Sequence, residues 1–206
     1  MKHILVNYNF TPDWLKDKDY LIYDRSDSKE WLKDFDQSRI IYTENIGNVD
    51  YDKLTYLIDN YDNLPDVFLW GKTNLFKYIS EEEYELVKDN KTFTPLLTQH
   101  HGTKGDERGM VCFYLDGMYY ERNQLIYAID LAGKHFNFYS DFAKEFGLPN
   151  PQFLPFPPGG NFTLTKEVVH KHPKELYVRM ANTLPYTQIP VEAYFCERSY
   201  LNLWKQ

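Results

Sequence analysis

The sequence lacks the common signatures of cofactor-binding and hydrolytic enzymes. Its 206 residues contain no Gly-x-Gly-x-x-Gly segment, no phosphate loop ending in Gly-Lys-Ser and no Gly-x-Ser-x-Gly elbow. These absences argue against a nicotinamide dehydrogenase, a P-loop nucleotidase and a serine hydrolase of the α/β type.

Runs of basic residues and long apolar runs are also missing. Lys and Arg number 23 against 30 Asp and Glu, which gives a formal net charge of −7. Binding a nucleic-acid backbone needs Lys and Arg to displace counterions, so we expect no nucleic-acid partner. No stretch approaches the roughly 20 apolar residues of a membrane helix. The apolar run at 3–6 is too short for a signal peptide, and we therefore expect no membrane span and a cytoplasmic location.

Cysteine is scarce, whereas aromatic residues are abundant. Cys112 and Cys196 have apolar neighbours and no metal-like spacing, which favours two buried thiols over a disulfide. Aromatic residues make up 17% of the chain, with 18 Tyr and 14 Phe. A surplus of Tyr and Trp suits a cleft for sugar rings or nucleobases. Compositional drift toward Tyr, Asn and Lys explains the surplus equally well.

Strand and helix patterns alternate in the first half of the chain. Apolar periodicity predicts an amphipathic helix from Asp50 through Leu54 and Leu57, and an acidic segment predicts another helix at 81–88. Thr11 and Pro12 resemble a helix start. Such alternation predicts an α/β fold of three layers, with a central, mostly parallel sheet flanked by helices. The four predicted strands cover 3–8, 20–23, 39–42 and 67–70.

The second half is less regular. An Asp116-Gly117 pair predicts a hairpin turn, and Ser140 is placed to cap a helix. Five prolines and two glycines in 149–160 favour an ordered loop or lid. Further helices are predicted from Thr165, over 175–184 and from about 191 to 204. We see no linker and expect a single domain over 1–206.

The predicted strands end in polar segments. Residues 7–10, 24–28, 43–48 and 71–74 are rich in Asn, Asp and Gly. Ligands bind at the carboxyl ends of strands in open α/β sheets. We therefore expect a binding edge there, although strand ends are polar in most proteins.

Four segments together resemble a poorly characterised family. They are 45–48 (NIGN), 56–71 (YLIDNYDNLPDVFLWG), 158–164 (PGGNFTL) and 196–204 (CERSYLNLW). The family carries an Asn-Val-Gly-Arg-Glu segment, a "YddLPD-x-x-x-F-x-x-G" strand and a terminal "E-R-L-W" helix. It looks related to glycosyltransferases of the GT-A type. The resemblance covers roughly positions 40–75 and 155–205.

The chain departs from this family at 47–50 and after the fourth predicted strand, where it has Trp70-Gly71-Lys72 in place of a Gln-Gly pair. Where the family has Gly-Arg-Glu, this chain has Gly47-Asn48-Val49-Asp50, so an acidic role would shift to Asp50. Many GT-A enzymes bind Mn²⁺ or Mg²⁺ through Asp-x-Asp. Asp17 and Asp19 have that spacing but precede their strand, and Asp116 lies in the predicted turn, so metal dependence has no assigned ligands.

The resemblance implies transfer of a sugar from a nucleotide-sugar donor to a glycan or other hydroxyl acceptor. Residues 1–100 would form the nucleotide-binding half, and 101–206 the acceptor and lid half. Glu197 with Arg198 can instead form an ion pair that fixes the last helix. The candidate acids are Asp50, Asp66 and Glu197; the candidate donor-binding residues are Asn45, Gly47, Asn48, Lys72, Asn161 and Arg198.

Two alternatives to the glycosyltransferase stay open at this level. A non-catalytic module of the same fold would bind a glycan or a protein through aromatic residues. A nucleotidyltransferase would use the same edge without sugar chemistry. In either enzyme, His100 or His101 in its glycine-containing segment could reach a phosphate.

Overall fold

The protein is built around a mixed six-stranded sheet. A computed structural model describes residues 1–97, 104–106, 109–115, 118–125 and 133–205. The strands run in the order β3-β2-β1-β4-β10-β5. The first four are parallel, and β10 is antiparallel to both of its neighbours. The strand bounds are β1 Lys2–Asn7, β2 Asp19–Asp24, β3 Ile40–Tyr42, β4 Val67–Lys72, β5 Thr94–Pro95 and β10 Phe162–Thr165.

The sheet has a hydrophobic core on each face, and helices cover both cores. Alternating residues of a strand point to opposite faces, so Phe68 and Trp70 join one core and Leu69 joins the other. The α/β class with flanking helices is therefore confirmed. The helix bounds are α1 Asn48–Asp59, α2 Glu81–Val87, α3 Tyr139–Phe146, α4 Lys166–Val169, α5 Lys174–Ala181 and α6 Val191–Lys205.

The connections between the first three strands differ from the prediction. Only short 3₁₀-helices, such as Asp13–Leu15, lie between β1 and β2 and between β2 and β3. Thr11 caps no helix, and Pro12 occupies the cap position of that 3₁₀-turn. Ser140 lies inside α3, whose cap residue is Phe138. These polar links supply too few periodic apolar residues for a full helix, so α1 is the one long helix before β4.

A second, antiparallel sheet follows in the second half. Its order is β6-β7-β8-β9, with β6 Lys104–Asp106, β7 Gly109–Leu115, β8 Met118–Arg122 and β9 Phe153–Phe156. The predicted hairpin is confirmed in β7 and β8, whereas its turn at 116–117 lies outside the described residues. The loop expected over 149–160 was partly wrong, because β9 forms within it. Pro155 is tolerated there at the sheet edge, where β8 is the only neighbouring strand of β9 among the described residues.

The reversed strand β10 positions the binding edge. Phe162 pairs with Trp70, so the residue before β10, Asn161, lies at the carboxyl end of β4. The strand order also reverses between β1 and β4, which is where open α/β sheets leave a crevice for ligands. Among the described residues, no helix is long and apolar enough to cross a bilayer.

A buried ion pair fixes the chain beside this edge. Arg25, just after β2, donates to Asp52 of α1 at 2.9 Å, and both side chains are at most 3% exposed. Arg25 also donates to the Ile46 carbonyl at 2.6 Å. It thereby ties β2, α1 and the segment before α1 together.

The change Arg25→Ala should lower the free energy of unfolding by about 3–5 kcal/mol, because it leaves the Asp52 carboxylate buried and unpaired. Chemical denaturation of both proteins measures the difference. The control is Lys33→Ala, which breaks an exposed pair with Glu30 and should cost less than about 1 kcal/mol. Equal stability of the Arg25 variant and the wild type would contradict the role of this pair.

Candidate functional site

Five ionisable side chains meet at the carboxyl end of β4. Asp50 and Lys53 come from α1, Lys72 from the end of β4, and Glu197 and Arg198 from α6. Asp50 and Lys53 lie close enough for each charge to act on the pKa of the other. The charge of Lys72 acts on both of these pKa values, and the Glu197 carboxylate acts on those of all three residues. We refer to these five residues as the ionisable cluster. The sequence had predicted all of them except Lys53.

Lys53 is buried at the centre of the cluster. It is 1% exposed, and its ammonium lies 4.1 Å from the centre of the Trp70 ring. The ammonium donates to the Gly160 carbonyl at 2.5 Å, and the Trp70 indole donates to the Lys53 carbonyl at 3.0 Å. A cation over an indole face is attracted by the ring quadrupole, which offsets part of the cost of its burial.

Burial shifts the pKa values of the two α1 residues in opposite directions. Burial lowers the pKa of Lys53 to about 8, although the nearby Asp50 carboxylate opposes the shift. Burial raises the pKa of Asp50, with Lys53 again opposing it. Asp50 lies in the first turn of α1, where the helix dipole favours a carboxylate.

A buried tyrosine lies beside Asp50. The hydroxyl of Tyr200, in a residue 0% exposed, interacts with the Asp50 carboxylate, in a residue 2% exposed. Burial raises the Tyr200 pKa well above its usual value. The Asp50 carboxylate, the Lys53 ammonium and the Tyr200 hydroxyl therefore form one buried polar group beside the glycine loop.

The cluster holds a glycine loop, residues 157–160, at two points. The Gly159 N–H donates to Oε1 of Glu197 at 2.7 Å, and Lys53 holds the Gly160 carbonyl. Both glycines have positive φ, of 83° and 59°. A Cβ on Gly160 would stand 3.1 Å from the Lys53 nitrogen. The loop therefore requires glycine for its backbone shape and for its approach to the cluster.

Asn161 locks this loop to β4. Its Oδ1 accepts from the Lys72 backbone N–H at 2.9 Å, and the residue is 0% exposed. A Cβ on Gly71 would lie 2.5 Å from the same oxygen. The structure thus gives Asn161 a positioning contact. Its predicted contact with ligand hydroxyls would have to come from Nδ2, which has no partner among the described residues.

Lys72 is the cation of the cluster with spare donor capacity. Burial acts to lower its pKa, but Glu197, Tyr78 and Asp50 outweigh it, so the pKa is raised and the ammonium stays charged. The one hydrogen bond of its ammonium among the described residues goes to the Tyr78 hydroxyl at 3.4 Å. No carboxylate of the described residues lies within ion-pairing distance of it. Lys72 is therefore available to an anion.

Arg198 is committed to protein partners. It donates to Glu121 of β8 at 2.7 Å and to Glu197 at 3.0 Å, and its guanidinium covers the Phe156 ring at 4.1 Å. This is the ion-pair alternative raised by the sequence, with one difference. The pair fixes α6 to the smaller sheet rather than to the central one.

The predicted residues at 45–48 lie in a loop fixed by backbone contacts. The N–H groups of Gly47 and Asn48 donate to the carbonyls of Thr187 and Gln188 at 2.7 and 2.8 Å. Gly47 has a φ of 75°, and a Cβ there would stand 2.7 Å from Tyr51. The backbone donors of this loop are thus occupied, and Asn45 is half-buried near the start of α1.

The structure does not bring Asp66 into the cluster. Asp66 is exposed and directly precedes β4, whereas Lys72 ends that strand. The six residues of β4 separate the two side chains, so Asp66 lies at the opposite edge of the sheet. The tempting pair His100-His101 lies outside the described residues.

Sequence reasoning missed Lys53, Tyr78 and Tyr200. Lys53 lies one turn before Leu57 on the apolar face of α1, and this spacing was the available signal. Tyr200 lies one turn after Cys196 in α6 and could have been found in the same way. Tyr78 follows the 3₁₀-turn Leu75–Lys77 after β4, and no local pattern marks it.

Among the described residues, no group of three or more His, Cys, Asp and Glu side chains is placed to hold a metal ion. No protein-family model, curated protein or solved structure matches the chain. The function must therefore be argued from the site alone.

The pKa of Lys53 predicts a pH dependence of stability. The folded state releases this proton near pH 8 and the unfolded state near 10.5, so the unfolded state binds more protons between those values. The Lys53 contribution to the free energy of unfolding therefore rises with pH in that window, by at most about 3 kcal/mol. Lys53→Met should remove the rise, measured as wild type against variant by urea unfolding at pH 7.5 and 10.

Tyrosines that titrate in the same range contribute equally to both proteins. Their contribution is removed when the free energy of unfolding of the variant is subtracted from that of the wild type. The exposed Lys144→Met on α3 is the control and should follow the wild-type profile. Parallel profiles for wild type and Lys53→Met would show that Lys53 keeps its ordinary pKa.

Proposed function

We propose that the ionisable cluster is the active site of a glycosyltransferase of the GT-A type, which moves a sugar from a nucleotide-sugar donor to a hydroxyl acceptor. The observation that supports this most is the meeting of Lys72, Glu197 and Asp50 around a glycine loop at the carboxyl end of β4. Such a transfer needs a cation that binds the departing diphosphate and a carboxylate that takes a proton from the acceptor hydroxyl.

Each residue of the cluster would have one role. Lys72 would bind the diphosphate of the donor, because its ammonium stays charged and has free donors. Glu197 would be the general base, since its side chain is 14% exposed whereas Asp50 is 2% exposed as a residue. The Gly159 N–H and Arg198 would orient the Glu197 carboxylate.

The transfer would proceed by a simple exchange of bonds. Glu197 takes the proton of the acceptor hydroxyl as the oxygen bonds to the anomeric carbon of the sugar. The bond between that carbon and the diphosphate oxygen breaks, and the diphosphate leaves with the electron pair, stabilised by Lys72. A Mn²⁺ or Mg²⁺ ion bound with the donor would share that stabilisation.

A nucleotide-sugar donor should stabilise the protein. At 100 times its dissociation constant a ligand adds about 2.7 kcal/mol to the free energy of unfolding, a rise of several degrees in Tm. A thermal-shift screen of nucleotides and nucleotide sugars, with and without manganese or magnesium, measures this. Lys72→Met should remove most of the shift, and Lys144→Met should keep it. No shift with any donor would overturn the transferase.

Glu197→Gln should abolish turnover and leave donor binding within a few-fold of wild type, because Gln can still accept from the Gly159 N–H. Release of nucleoside diphosphate in the presence of a panel of hydroxyl acceptors measures turnover. Asp50→Asn is the comparison: loss of activity in that variant alone would move the base to Asp50.

The second candidate is a non-catalytic module that binds a glycan or a protein. It is favoured because both oxygens of Glu197 already accept hydrogen bonds and Asp50 is buried, so both carboxylates have structural contacts that need no catalytic role. The module predicts ligand binding without any turnover in the wild type.

A further inference from the structure

A second feature of the binding edge lies beside the ionisable cluster. It is a cavity of 390 Å³ lined by Phe10, Trp14, Thr73, Asn74, Phe76 and Lys77. Phe10 follows β1, and Thr73 and Asn74 follow β4, so the cavity opens where the strand order reverses. We call it the aromatic pocket.

Three rings form the walls of the aromatic pocket. Trp14 and Phe76 pack with ring centres 5.2 Å apart, and Phe10 is 37% exposed at the rim. The indole N–H of Trp14 donates to the Thr73 carbonyl at 2.9 Å, which fixes the ring plane to the end of β4. The walls are thus flat and apolar, which suits a planar ring.

Few polar groups of the pocket remain free to bind a ligand. The Thr73 hydroxyl donates to Asn7, and its carbonyl accepts from Trp14. The Asn74 amide and the Lys77 ammonium have no partner among the described residues. One amide and one ammonium match the edge of a nucleobase, which offers two or three polar atoms. A hexose would leave several hydroxyls unpaired there.

The pocket and the ionisable cluster share one short turn. The 3₁₀-helix Leu75–Lys77 carries Phe76 and Lys77 into the pocket, and the next residue, Tyr78, accepts from Lys72. The short segment 73–78 therefore connects the two subsites.

From this geometry we propose that the aromatic pocket binds the nucleobase of a nucleoside diphosphate whose phosphates reach Lys72, with Asn74 reading the base edge. The inference rests on the proposed function for the identity of the donor. It goes beyond it by assigning a base-binding subsite to residues that the cluster does not contain.

Isothermal titration calorimetry with the diphosphates of uridine, cytidine, adenosine and guanosine tests the pocket. Phe10→Ala should weaken the preferred nucleotide roughly tenfold, since stacking on one ring contributes about that much. Asn74→Ala should reduce the preference among the four bases. Phe138→Ala removes a ring that is 52% exposed elsewhere and should bind as the wild type does.

Inorganic pyrophosphate separates the two subsites. Its affinity should fall in Lys72→Met and stay unchanged in Phe10→Ala, because pyrophosphate has no base. If Lys72→Met weakens the nucleotide but Phe10→Ala and Asn74→Ala do not, the pocket assignment is wrong and the donor proposal stands. If the pocket variants weaken nucleotide binding but no sugar is transferred, the pocket stands and the transferase fails. Absence of nucleotide binding, or binding of a hexose oligosaccharide that depends on Phe10, would overturn the pocket.

Discussion

The buried ammonium of Lys53 is the contact on which the arrangement of the edge depends. It stands between Trp70 of the central sheet and the Gly160 carbonyl, and it faces Asp50 within the same helix. A charge in an apolar interior is unfavourable unless it is hydrogen-bonded and compensated. Here compensation comes from an aromatic face, one carbonyl and a carboxylate. Loss of any of the three would leave the buried ammonium incompletely compensated. Because the three groups come from α1, β4 and the glycine loop, these elements keep a single relative position.

Chain direction explains how distant segments reach this point. Because β10 runs against β4, the glycine loop is delivered to the carboxyl end of β4 rather than to its start. Asn161 then fills the space that Gly71 leaves and accepts from the Lys72 N–H. On the other side, Glu197 of α6 holds the same loop through Gly159. The loop is thus fixed from the sheet and from both helices, while Lys72 keeps free donors. Rigid surroundings around one uncommitted cation are what a binding site requires.

Much of this fold follows from local patterns, whereas the site follows from them only in part. The strands β1, β2 and β4 are compact apolar runs and α1 has apolar residues at helical spacing, and sequence reasoning found these elements and α6. It missed β5, β9 and β10, because these short strands contain proline or threonine instead of a continuous apolar run. Asp66 was chosen for its motif, although its position before β4 places it at the other edge. Lys53 was overlooked because a lysine on a helix is read as solvated by default.

The two cations near the edge differ in a way that separates structure from function. Burial lowers the pKa of Lys53. Its ammonium donates to the Gly160 carbonyl, so the role of this lysine is to hold the glycine loop. Neighbouring carboxylates raise the pKa of Lys72 against the effect of burial, yet none of them pairs with it directly. A lysine whose charge is favoured by its surroundings, and whose ammonium makes one hydrogen bond among the described residues, suits the anion that we propose it binds. A phosphate alone would need only Lys72. The aromatic pocket that follows β4 would add apolar contacts for the base of the proposed nucleotide.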